Sequence, residues 1–289
     1  MEKQAPIAVI AGGGDLPGIV VRSAMEQGRD VVTIAIKGEA DASLSVFEPI
    51  ELGWGQFGKL YATLRARGVR DVVFIGAVQK RPDFTSIWVD FGTLWRLPRI
   101  ISALFSGDDH LLVKLAGLFE REGLNVVGAH DVAPGLVASP GHVAGPKPDA
   151  KALIAMKLAI EAVDAVGRLD IGQGAVAVGK RVVAVEGAEG TDAMLERVAG
   201  LRANGRVRSR GASGVLVKCS KPQQDLRLDM PTIGPQTIHK AAEAQLKGVC
   251  VEAGRVLVAH RDEVERLCNE LGVFLYGCSR GEDFETGDQ

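Results

Sequence analysis

"IAVIAGGGDLPGIVVRSAMEQGRDVVTIAI", residues 7–36, is the stretch on which the fold turns. Two apolar runs rich in β-branched residues, IAVIA and DVVTIAI, flank a glycine triplet and an amphipathic segment at 17–27. That is the β-loop-α-β order of a dinucleotide-type unit, in which Gly12, Gly13 and Gly14 bring backbone amides to a helix N-terminus, a setting that favours anions. Asp15 either binds a ligand hydroxyl or caps the helix. A nicotinamide-dinucleotide reading weakens at two points: the glycines are not spaced G-x-G-x-x-G, and the second strand ends on Lys37, where an adenosine ribose calls for Asp or Glu. A nucleotide-related ligand is the better reading, with a purely structural tight turn as its alternative.

Outward from this stretch the alternation continues. EPIEL, DVVFIGA and LNVVGA read as further strands, separated by helices near 56–67 and 110–122. Such alternation predicts a Rossmann-like α/β domain with a largely parallel sheet over residues 1–133. The proline- and glycine-rich stretch PGLVASPGHVAGPKPD, residues 134–149, disfavours regular structure and reads as a linker, after which Asp149 can cap an apolar helix. Residues 150–289 read as a smaller mixed α/β domain. It holds a hairpin turning at Gly179-Lys180, a helix at 191–203, a strand at 214–219, helices at 235–246 and 262–271, and a final strand VFLYG.

Composition narrows the function classes. The chain has 289 residues, 46% hydrophobic and 24% charged, with a net charge of −2, so nonspecific nucleic-acid binding is not indicated. Its four cysteines include no C-x-x-C and its five histidines no H-x-x-x-H, so neither a zinc site nor a disulfide framework is expected, and a reduced, cytoplasmic setting fits best. The N-terminal apolar run is short for a signal segment, and no stretch of 18 apolar residues occurs, so neither secretion nor a membrane span is expected.

Three clusters carry candidate chemistry. In VVAVEGAEGTDAMLERV, Thr191 reads as a helix N-cap, while Glu186, Glu189 and Asp192 make the loop acidic, which would repel a bare phosphate. A divalent cation resolves that conflict, since Mg²⁺ takes one or two carboxylates plus phosphate oxygens. For Asp192 alone, complementing the helix dipole is the alternative. In LVKCSKPQQDLRLDMPTIGP, residues 216–235, Lys218, Lys221 and Arg227 can neutralise phosphates, while Asp225 and Asp229 can hold metal or orient water. An extended QDLRLDM would put Asp225, Arg227 and Asp229 on one face, which is either a solvated edge or chemistry. Residues 84–105 hold five of the fourteen aromatics, with Trp88, Phe91 and Trp95 at helical spacing beside Arg96 and Arg99. Such a stripe is a core helix or an acyl- or membrane-facing one. GDDHLL at 107–112 is another acidic loop before a helix and reads as a cap, with a ligand role as its alternative.

Taken together, IAGGGDLPG, GAVQKRP, SGDDHLL, VVAVEGAEGTDAM and VKCSKPQQDLRLDMPTIGPQTI resemble the LpxI-type UDP-2,3-diacylglucosamine pyrophosphatases of lipid A biosynthesis. The resemblance implies a cytoplasmic, Mg²⁺-dependent hydrolase that converts a lipid-linked sugar nucleotide to UMP and 2,3-diacylglucosamine 1-phosphate, with attack favoured at the sugar-side phosphate. It implies an essential Asp225; the candidate metal ligands are Asp225, Asp192 and Glu189, and the candidate substrate contacts are Gly12, Gly13, Gly14, Asp15, Lys80, Thr191, Lys218, Lys221 and Arg227. Transient contact with the inner-membrane surface and a homodimer are expected with it. The rival readings are an NAD-type oxidoreductase and a noncatalytic nucleotide-sugar sensor.

Overall fold

The computed structural model describes residues 5–78, 90, 93 and 108–281. Two compact units emerge, Met1–Gly135 with Asp225–Asp229, and Leu136–Gln224 with Met230–Gln289.

The first unit runs β1 (Ile7–Ala11), α1 (Leu16–Glu26), β2 (Val31–Ile36), β3 (Ile50–Leu52), α2 (Phe57–Ala66), β4 (Asp71–Ile75), α3 (Asp108–Arg121) and β5 (Asn125–Val126). The five strands form one sheet in the order β3-β2-β1-β4-β5, parallel at every pairing. All five residues of β1 are buried, as a strand covered on both faces requires, which is why IAVIA is a continuous apolar run rather than an alternating one. Phe119 of α3 fills the core, edge-on to Phe74 at 5.0 Å and tilted against Tyr61 at 5.3 Å. Because β2 and β4 lie on opposite sides of β1, the direction in which strands are added to the sheet reverses between them, and the glycine loop sits at this switch point, where ligands of such sheets bind.

The second unit runs β6 (Gly141–Ala144), α4 (Ala150–Arg168), β7 (Gly174–Val178), β8 (Arg181–Val185), α5 (Gly190–Ala203), β9 (Val215–Lys218), β10 (Thr232–Ile233), α6 (Pro235–Glu243), β11 (Gly248–Glu252), β12 (Leu257–Val258), α7 (Arg261–Leu271) and β13 (Phe274–Cys278). Its main sheet has the order β6-β13-β11-β9-β7-β8, with β9, β11 and β13 parallel and antiparallel strands at both edges. Strand alternation divides the core. Val215 and Val217 face α4, whereas Leu216 faces α5, α6 and α7. Gly179, at φ 57°, turns the β7–β8 hairpin as expected, and Asp149 caps α4 by accepting from the Ala152 amide at 2.8 Å.

Two expectations change. The 134–149 stretch does contain regular structure: Gly141–Ala144 pairs antiparallel with β13 as an edge strand. Its prolines lie at 134, 140, 146 and 148, so the four residues between Pro140 and Pro146 that form the strand keep their amides. The second unit, expected to be the smaller, carries the larger sheet, six strands against five.

Candidate active site

At the switch point of the first unit the glycine loop is zipped onto the end of β4. Gly12 N donates to Ile75 O at 2.9 Å, Gly13 N to Ala77 O at 2.8 Å, and Ala77 N returns to Gly13 O at 2.9 Å. A Cβ on Gly12 would stand 2.4 Å from Ala77 O, so this close approach requires glycine. The Gly14 amide donates to the Asp41 carboxylate. The three amides thus have partners inside the unit, and the loop presents a side-chain-free wall rather than open donors. Asp15 is the N-cap of α1 but makes no capping bond with its side chain. Lys80 and the aromatic residues Trp88, Phe91 and Trp95 lie outside the described residues.

Residues 225–229 also belong to the first unit. They are not extended: Leu228 N and Asp229 N both donate to Asp225 O, at 3.0 and 3.1 Å, closing a turn. The expected single charged face is replaced by a clasp. Arg227 Nε donates to Asp225 Oδ1 at 3.0 Å and its Nη2 to Oδ2 at 2.7 Å, while Nη1 reaches Glu120 of α3 at 3.0 Å. Leu228 packs against the core of the parallel sheet, which is the apolar reason this loop joins that unit. The Arg227 guanidinium holds the Asp225 carboxyl below the ordinary carboxylate range, partly opposed by burial and aided by the Arg227 amide. Asp225 is therefore ionised at neutral pH, with hard oxygens suited to a divalent cation or to orienting water.

In the second unit, Thr191 is not the N-cap; Glu189 holds that position and Thr191 lies in the first turn of α5. Its hydroxyl donates to Glu186 Oε1 at 2.7 Å and accepts from Lys218 Nζ at 2.8 Å, and Lys218 donates again to Thr232 O at 3.1 Å. Glu186, Thr191 and Lys218 are 6, 9 and 8% exposed. Glu186 thus leaves the acidic loop with which its sequence position groups it. Room for its carboxylate comes from Gly174, where an added Cβ would stand 2.7 Å from Oε2, while Gly172 admits the Glu186 backbone, an added Cβ there standing 2.1 Å from its carbonyl oxygen. Lys221 Nζ pairs with Asp170 Oδ1 at 2.5 Å. The structure brings Thr191 and Lys218 together, and sets Lys221 on a different partner.

Of the remaining acids, Asp192 is exposed and Glu189 pairs with Arg197 at 3.0 Å. Among the described residues no group of three ligand-type side chains stands preassembled for a metal. Mg²⁺ needs no such cage, since substrate phosphates and water complete its shell. The ionised Asp225 and the exposed Asp192 offer the donor type it takes.

Sequence reasoning missed the support behind the lysine-bearing stretch. Glu252, 4% exposed at the end of β11, accepts from Ser220 N at 2.9 Å and Ser220 Oγ at 2.8 Å, and Arg280 Nε pairs with it at 2.9 Å. This anchors the chain between Lys218 and Lys221. A carboxylate closing the buried strand GVCVE was the available signal, because such a group is buried only when paired.

Comparison with known proteins agrees with this layout. The family model described as LpxI N-terminal domain matches residues 6–136, and the one described as LpxI C-terminal domain matches residues 139–276. A protein named UDP-2,3-diacylglucosamine pyrophosphatase LpxI, from Caulobacter vibrioides, is 41% identical over 271 residues, covering 94% of this chain and 96% of that protein. On both matches, this chain belongs to the LpxI family.

Proposed function

We propose that this protein hydrolyses the pyrophosphate of UDP-2,3-diacylglucosamine to UMP and 2,3-diacylglucosamine 1-phosphate. The similarity of nearly the whole chain to a relative bearing that pyrophosphatase name carries the reading. In the reaction, a water oxygen bonds to phosphorus, the bridging P–O bond breaks, and the bridging oxygen leaves with the other phosphate. Asp225, ionised and oriented by Arg227, accepts a hydrogen bond from the attacking water. Lys218, Lys221 and Arg227 offset phosphate charge, and the glycine loop at the switch point borders the nucleotide. A bound Mg²⁺, for which Asp225, Asp192 and Glu189 are the candidate ligands, would supply charge neutralisation on the phosphate oxygens. The enzyme is cytoplasmic, visits the inner-membrane surface to reach its substrate, and forms a homodimer. No helix among the described residues is long and apolar enough to cross a membrane.

The test is direct: incubate the protein with UDP-2,3-diacylglucosamine and Mg²⁺ and measure UMP. Release that stops with EDTA and returns with Mg²⁺ supports the proposal; no UMP, or full turnover of metal-free enzyme, defeats it in whole or in its metal part. Hydrolysis in ¹⁸O-water should label the sugar 1-phosphate. Light scattering at micromolar concentration should give the mass of a dimer.

A further inference from the structure

Between Glu196 and Asp225 the second half of the chain carries no carboxylate and seven cations: Arg197, Arg202, Arg206, Arg208, Arg210, Lys218 and Lys221. Arg197 and Lys221 pair with Glu189 and Asp170, and Lys218 is buried. The remaining four lie in α5's last turn and the loop after it, in a protein whose overall charge is −2. Arg206, Arg208 and Arg210 are exposed, and among the described residues the side chains of Arg206 and Arg210 make no hydrogen bond or ion pair.

The loop that carries them is built rather than loose. Arg202 donates to Ser209 Oγ at 2.6 Å, to Ser213 Oγ at 3.2 Å and to Ser213 O. Ser209 Oγ donates to Gly211 O at 3.0 Å, and Arg208 Nε to Gly205 O at 3.0 Å. The amides of Arg206 and Val207 both return to Leu201 O. Arg202 is thus spent inside the loop to hold its shape and Arg208 gives its Nε to it, while the alternating R-x-R-x-R displays the exposed guanidiniums of Arg206, Arg208 and Arg210. Beside them lies a cleft of about 670 Å³, lined by Gly200, Arg202, Arg208, Ser209, Glu243 and Gln245, with Glu243 its one carboxylate. It is about 17 Å along α5 from Thr191, so it is separate from the Glu186–Thr191–Lys218 network.

We propose that this arginine loop and its cleft form a docking surface for phosphate headgroups of an anionic phospholipid bilayer. Three displayed guanidiniums on a pre-shaped loop, with no internal counter-ion for two of them, suit bidentate phosphate contacts. Preorganisation limits the entropy lost on binding. The occupant is a membrane because the reading above gives the enzyme a lipid-linked substrate, on which this inference rests. Clustered arginines are drawn to an anionic leaflet, each contributing about fivefold to partitioning.

The experiment is sedimentation of the full-length protein with vesicles, without substrate or Mg²⁺, so its outcome is independent of turnover. Binding to vesicles of phosphatidylcholine with a quarter phosphatidylglycerol should exceed binding to pure phosphatidylcholine vesicles and weaken with salt. The triple variant R206A/R208A/R210A, checked for an unchanged melting temperature, should lose about a hundredfold in partitioning, and the triple Lys variant, which keeps the charge but not the bidentate fork, should fall between the Ala variant and the parent. Hydrolysis of detergent-solubilised substrate by the Ala variant should equal that of the parent protein. Equal binding to both vesicle types, or undiminished binding by the Ala variant, would overturn the proposal. So would release of the parent protein from vesicles by millimolar inorganic phosphate at constant ionic strength, which marks a free-anion site, or by a short RNA, which marks a polynucleotide surface.

Discussion

Replacing Thr191 by valine keeps shape and volume but removes the one hydroxyl that bridges Lys218 and Glu186. Both charged groups are more than nine-tenths buried, and each loses a bond of 2.7–2.8 Å. A hydrogen bond to a charged partner contributes about 1.5–3 kcal/mol, and breaking a buried charge network costs about 3–5 kcal/mol, so Thr191→Val should destabilise the second unit by about 4 kcal/mol. With a urea m-value of about 2.5 kcal/mol per molar, the unfolding midpoint should fall by about 1.5 M. Thr191→Ser keeps the hydroxyl and should lose no more than about 1 kcal/mol, the packing contribution of one methyl group. The assay is urea unfolding followed by far-UV circular dichroism, with hydrogen exchange of peptides covering 174–218 to locate the effect. A valine variant whose midpoint lies within about 0.3 M of the parent, with unchanged exchange over β7, β8 and β9, would refute the idea that this hydroxyl holds the two charges.

Asp225→Asn should abolish UMP release with little change in melting temperature, because a partly exposed ion pair contributes about 1 kcal/mol or less; a large fall in melting temperature would instead make the residue structural. The depressed Asp225 carboxyl contributes stability that is present above its unfolded pKa and fades only as pH falls through the lower folded value, so the acid limb of kcat/KM set by this group should lie below the ordinary carboxylate range. Arg227→Met should move that limb to higher pH, and an unmoved limb would show that another group sets it. All four cysteines are buried, with the Cys268 thiol pushed up to about 12 chiefly by burial, so a thiol reagent at pH 8 should label none in the native protein and all four in urea.

Local pattern was enough for most of the elements, though not for the edge strand at Gly141–Ala144. The β-branched runs around the glycine triplet specify a parallel sheet because only strands buried on both faces can be apolar throughout. Gly179 and Asp149 declare a turn and a cap because φ > 0 and an N-terminal acceptor are local demands. Partnership is a different matter. Asp225 and Arg227 are two residues apart, yet whether they lie side by side on a strand or clasp across a turn depends on Leu228 finding the core of the parallel sheet. Glu186 looks like one of three exposed acids in sequence, and only the missing side chain of Gly174, distant along the chain but adjacent across the sheet, lets it turn inward to Thr191. A single sequence encodes side-chain chemistry and short-range geometry. Which charges neutralise each other is decided by long-range packing, because desolvation and Coulomb attraction act through distances that exist only once the chain is folded.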